Sequence, residues 1–190
     1  MRRARALGNP TLLVTSLYGY GMAWFGGDAG KALDALEECI ALTDAGASDV
    51  VYASALEAVA RLRAAIGDRR GALEALIAAI SFADETGNRT AAAYALWFGV
   101  AVIARFGAHE FAAVSAGIVD KSPHMPFLVH PESTSNPHVT DHARAVEAAR
   151  AALGNAHYDD LEARGAAMTY EQMVDYALRE LRALLDEPPR

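Results

Sequence analysis

Four of the six histidines, His124, His130, His138 and His142, fall within nineteen residues. His138 and His142 stand four apart, a spacing that sets two imidazoles on one helix face where they could share a metal ion. No cysteine and no His-Glu signature accompanies them, so the expectation is a His-rich surface segment and no metal. Gly26-Gly-Asp-Ala-Gly-Lys31-Ala32 imitates a phosphate-binding loop. It is one residue short, Ala32 replaces the magnesium-binding hydroxyl, Asp28 repels phosphate, and a helix rather than a strand precedes it. Ala113-Val-Ser115-Ala-Gly117 imitates a nucleophile elbow without its first glycine, and an elbow needs a strand-to-helix turn. Ser115 is expected to be a packing residue. Cys39 is the single cysteine, which excludes an intrachain disulfide. Glu37 and Glu38 beside it carry the wrong sign to activate a thiol, so it reads as a small buried filler. With no catalytic constellation, the chain is expected to be non-enzymatic and to need no cofactor.

What remains is binding. Tyr18, Tyr20, Trp24, Tyr52, Tyr94 and Trp97 recur along the chain. Trp24 and Trp97 are expected in the core. Tyr18 and Tyr52, off the main apolar stripes, are the candidates for a peptide-binding groove. Leu13 and Leu17 join them as candidate partner contacts, because the helix from Pro10 to Phe25 carries no charge and has no evident cover.

The elements that position these residues follow a 40-residue recurrence. Gly67-Asp68 opens a segment with Ala72, Leu73, Leu76, Ala79 and Ile80 at helical spacing. Subtracting 40 gives Gly27-Asp28, Ala32, Leu33, Leu36, Cys39 and Ile40; adding 40 gives Gly107-Ala108, Ala112, Ala113, Ala116 and Val119. Such regularity is the mark of stacked helical units that bury their apolar faces on one another. Each has a first helix before its glycine. The earliest starts at Pro10 behind the Asn9 cap, with Leu13, Leu17, Tyr20 and Trp24 as its stripe. The second runs from about Asp49 to Ile66, capped by Ser48 or Asp49, with Leu56, Val59 and Ile66 inward and a Glu57–Arg61 pair on the wet side. The third, from about Arg89 to Phe106, is apolar nearly all round and is expected to be the most enclosed.

From 121 to 136 prolines interrupt the pattern, predicting a loop in which Phe127, Leu128 and Val129 fold back onto the array. Helices return from 137 to 186. A Thr169/Gln172 capping box opens the last of them, whose Glu171, Asp175, Arg179, Glu180 and Arg182 make a polar outer side. The predicted architecture is all-α. It is a single domain of antiparallel helix pairs at about 9–46, 48–87 and 88–120, forming a right-handed solenoid with a C-terminal capping helix.

Leu56, Val59 and Ala60 followed by Ala72, Leu76 and Ala79 resemble the large and small residue spacing of tetratricopeptide repeats, with a longer period and with Arg63 where that family usually has an aromatic. Three further segments carry a second resemblance: ALGNPTLLVTSLYGYGMAWFGGDAGKALDALEECIAL, ARFGAHEFAAVSAG and LGNAHYDDLEARGAAMTYEQMVDYAL. They are similar to the C-terminal helical-repeat region of bacterial, especially actinobacterial, signalling ATPases and LuxR-type transcriptional regulators. That resemblance implies a protein–protein interaction or regulatory scaffold, with nucleotide and DNA chemistry in other domains. The contrasting expectation is a small-ligand sensor with an effector in an aromatic-lined pocket. An upstream domain or a second copy of the chain is expected to cover the first helix.

The bulk properties agree. A formal charge of −7 and a pI near 5.3 oppose direct nucleic-acid binding. Thr90–Ala104 is uncharged for only 15 residues, short of the roughly 20 that a bilayer span requires. MRRARA before an uncharged run imitates a secretion signal, but Asn9-Pro10 and two glycines interrupt it. The expected location is the cytoplasm.

Overall fold

The computed structural model describes residues 2–120 and 137–187. Over these residues the chain forms ten helices and no strand. They are α1 (Arg2–Ala6), α2 (Pro10–Trp24), α3 (Ala29–Asp44), α4 (Tyr52–Ala65), α5 (Arg69–Glu85), α6 (Arg89–Arg105), α7 (His109–Asp120), α8 (Pro137–Leu153), α9 (Asn155–Ala166) and α10 (Tyr170–Asp186). The predicted apolar fold-back at Phe127–Val129 lies outside the described residues. Packing divides the chain into two compact units, Met1–Ala79 and Ile80–Arg190.

The helix boundaries follow from local chemistry. Breaks fall where the recurrence places them, near Gly27, Gly67 and Gly107. At Gly67 the backbone adopts φ 85°, a left-handed conformation that costs a residue with a Cβ about 1 kcal/mol or more. This lets the Gly67 and Asp68 amides donate back to the Ala64 and Arg63 carbonyls, closing α4. Asp68 then accepts from the Gly71 amide at 2.9 Å, so the residue that closes α4 also caps α5. Asn88 does the same between α5 and α6: its amide donates to Ala83 O, and its side chain accepts from Ala91. The Thr169/Gln172 capping box forms as predicted. The expected Ser48 or Asp49 cap does not. A turn from Asp49 to Tyr52 delays α4, and Val51 precedes it without a side-chain cap bond.

In the first unit, α2 packs on α3 and α3 on α4. Val14, Leu17, Ala32, Leu36 and Cys39 are fully enclosed, together with Ala55 and Val59 of α4. Burying each larger aliphatic side chain stabilises by about 1.5–3 kcal/mol.

The second unit is arranged around α7, against which α6, α8, α9 and α10 all pack. Every residue from Phe111 to Val119 is buried, so α7, not α6, is the most enclosed helix. A methyl built on Gly117 would overlap the carbonyl oxygen of Glu162, and one built on Gly165 would overlap that of Val114. The two helices therefore touch backbone to backbone, which only glycine at these positions permits.

Most of the residues that recur every 40 positions are core residues in both units, although Leu33 and Ile40 are only half-buried. Ala32, Ala72 and Ala112, then Leu36, Leu76 and Ala116, are all buried. Three further expectations need correction. Ile66 points outward, because it follows the last turn of α4 and no helix covers it. Trp24 is only half-buried, with Lys31 Nζ 4.4 Å above its ring. The Glu57–Arg61 pair is buried rather than wet: their side chains keep 10% and 9% of their exposure at 3.1 Å, with the Arg61 guanidinium 4.5 Å from the Phe25 ring.

Candidate functional site

Of the four predicted contact residues, Tyr52 stands in a groove. Tyr52, Leu56, Val59 and Arg63 form a stripe along α4, which faces Glu37, Ile40, Ala41 and Asp44 of α3 and Glu74, Ala75 and Ala78 of α5. The groove has a volume of about 450 Å³ and is open to solvent. Leu56 and Val59 make its floor, since both are buried beneath the helix surface. The rim is charged. Arg63 donates to Glu37 Oε1 at 2.7 Å and to the Gly71 carbonyl at 3.3 Å. Tyr52 donates its phenol proton to Asp44 Oδ1 at 2.5 Å. Partial burial, and then the Asp44 carboxylate that accepts its proton, push Tyr52 up to about 12. The hydroxyl therefore stays a donor to Asp44 at neutral pH. Glu74 reaches Arg70 at 2.9 Å, and that arginine is largely in solvent.

Tyr18 faces inward. It is half-buried and turns toward Ser54, Glu57 and Arg61 of α4. Burial, followed by the Glu57 carboxylate, raises its pKa. Leu13 is half-buried and lines a smaller cleft of about 320 Å³ with Ala4, Gly8, Pro10 and Leu42. Leu17 is a correction. It is 1% exposed in the core, because the face of α2 that carries Val14, Leu17 and Gly21 is the one that meets α3; a methyl on Gly21 would overlap Leu36. The exposed apolar residues of this region are instead Leu7, Leu12 and Tyr20.

Each described residue with potential chemistry has a structural place of its own. Cys39 is buried, its thiol is 3.4 Å from the Val14 carbonyl, and burial raises its pKa, which makes it unreactive. Ser115 is fully buried in α7. Asp28 caps α3 by accepting from the Lys31 amide at 3.1 Å, so the loop that imitates a phosphate site is a helix start. His124 and His130 lie outside the described residues, as does the His138 side chain. His142 is not at the surface: it is 8% exposed, stacked on Trp97 with centroids 4.5 Å apart and an interplanar angle of 6°. Its Nδ1 lies 3.1 Å from the Trp97 carbonyl. A carbonyl can only accept, so Nδ1 carries a hydrogen. Nε2 lies 3.5 Å from Asp120 Oδ1. Spacing alone does not reveal this residue, since the burial of His142 depends on α8 lying across α6. Among the described residues no group of three or more His, Cys, Asp or Glu side chains is placed to hold a metal, and no helix is long and apolar enough to cross a membrane.

The groove thus combines an apolar floor, a tyrosine hydrogen-bonded to a carboxylate, and a rim with more acid than base. Comparison of the chain with protein-family models, with curated proteins and with solved structures finds no match in any of the three.

Proposed function

We propose that this chain is a non-catalytic interaction module that docks a short protein segment in the α3–α4–α5 groove. The single observation that supports it most is the groove itself. It combines a buried aliphatic floor, the half-exposed Tyr52 and a charged rim, and docking surfaces join an apolar anchor site to a polar rim in this way. In this reading the pairs α2–α3, α4–α5 and α6–α7 are successive members of a tetratricopeptide-like right-handed array with α10 as its cap. The chain then serves as a cytoplasmic scaffold of a bacterial signalling or transcription regulator, in keeping with the family resemblance of its sequence.

The test is peptide display on the purified chain, counter-screened with Tyr52→Ala and with Ala41→Trp. Ala41 is exposed in the groove wall, so the indole fills the groove without disturbing the core. Enriched peptides are expected to lose at least about tenfold in affinity to both variants, the effect of removing one anchor contact. Binding unchanged by either substitution would remove the groove from the mechanism.

A second reading, self-association, is favoured by the exposure of Leu7, Leu12 and Tyr20 around an uncharged helix. In this reading wild-type chain dimerises in sedimentation at high concentration and Leu12→Glu does not. A wild-type chain that stays monomeric removes the reading.

A further inference from the structure

The groove's charge pattern points to the chemistry of its occupant, and this inference rests on the docking reading above. Three carboxylates line the groove, Glu37, Asp44 and Glu74, against one cation, Arg63. Arg63 is committed to Glu37 at 2.7 Å and, more distantly, to Asp68 at 3.9 Å. Of the remaining two, Glu74 is paired with the solvent-exposed Arg70. Asp44 accepts the Tyr52 proton through Oδ1, and a carboxylate has lone pairs for further donors. Tyr52 is therefore not a free donor for an acidic ligand: its one hydrogen is already given to Asp44. The apolar part, Ile40, Ala41, Leu56, Val59, Ala75 and Ala78, runs between Glu37 and Asp44 on one wall and Glu74 on the other.

We infer that the groove takes a basic, amphipathic peptide segment. Its aliphatic side chain sits over Leu56 and Val59, and its flanking Lys or Arg side chains reach Asp44 and Glu74. An acidic segment would meet carboxylates on both walls and leave the one arginine to be taken from Glu37. Charge complementarity of this kind acts mainly on the association rate and on the choice of partner, and it is screened within about 10 Å at 0.1 M salt.

The probes are three fluorescein-labelled twelve-residue peptides: one of Leu, Lys and Ala, its counterpart with Glu for every Lys, and a Gly, Ser and Lys peptide without apolar residues. Anisotropy titrations are expected to show binding of the first alone, weakening at least about tenfold between 50 and 300 mM salt as screening grows. The double variant Asp44→Asn/Glu74→Gln should weaken it by about tenfold, the loss of two exposed ion pairs. Glu147→Gln/Asp160→Asn, which makes the same change in net charge on exposed positions of α8 and α9, should leave it unchanged. Equal binding of the Glu peptide, or equal loss in both double variants, overturns the inference while leaving a groove that binds peptides. Binding of the Lys peptide that survives Ala41→Trp overturns the docking reading as well.

Discussion

Position 37 in α3 and position 117 in α7 share one register of the 40-residue pattern, and the two units use it in opposite ways. In the first unit it is Glu37, exposed at the groove rim and bonded to Arg63. In the second it is Gly117, against which the backbone of α9 is pressed. The neighbouring register positions repeat the contrast. Asp34 and Glu74 are exposed where Val114 is buried, and Glu38 is half-buried where Ile118 is covered. Helices with the same inner face therefore differ in how much of their outer face they give up to neighbours. Among the described residues all the exposed large apolar side chains, Leu7, Leu12, Tyr20, Val50 and Ile66, belong to the first unit. The first unit leaves these register positions exposed, whereas the second covers its equivalent positions with its own packing.

The largest effect expected from this contrast is at the glycines. Gly117→Leu or Gly165→Val must push apart two backbones, which cannot yield as side chains do. Overpacking costs about 1–3 kcal/mol, and more where the backbone has to move, so destabilisation at or above the upper end is expected in urea unfolding followed by circular dichroism. Gly19→Ala is the matching change in the first unit. Nothing lies within 4 Å of a methyl there, and removing glycine from a helix interior should stabilise by about 0.5–1 kcal/mol. Similar losses at Gly19 and Gly117 would break the distinction between the units.

The next effect is the pH response of the buried pair. Burial raises the Glu57 carboxyl to about 7 from 4.5, against the opposing pull of Arg61. Between these values the folded chain holds a proton that the unfolded chain has released, so stability falls as pH rises from about 4.5 to about 7 and then levels. The fall is at most about 3 kcal/mol at 1.36 kcal/mol per pKa unit. Glu57→Gln should flatten this segment of a stability–pH curve measured by thermal unfolding. A wild-type curve that instead rises through the window would show that Arg61 holds Glu57 ionised and that the pair is an ordinary salt bridge.

Helix positions, most of the caps and the buried residues of α3, α5 and α7 were legible in the amino-acid sequence, because each is a local matter. Asn9, Asp28 and Asn88 satisfy backbone amides three residues away, and Ala32, Leu36 and Cys39 share a helix face through the 3.6-residue period alone. Standing off the apolar stripe did not separate Tyr52, which lines the α3–α4–α5 groove, from Tyr18, which turns inward toward α4. The burial of α7 on all sides also had a signal, in the exchange of Asp34, Glu37 and Glu38 for Val114, Gly117 and Ile118.

Other features were decided only in three dimensions. Leu13 and Leu17 look alike on a helical wheel, but only the docking of α3 tells which is covered. Glu57 and Arg61 look like any surface i,i+4 pair until Phe25 and Tyr18 close over them. His142 looks like part of a polar run until Trp97 stacks on it. The physical reason is common to all three. A periodic pattern determines which residues share a face, but exposure depends on which neighbour arrives at that face, and that neighbour comes from a distant part of the chain.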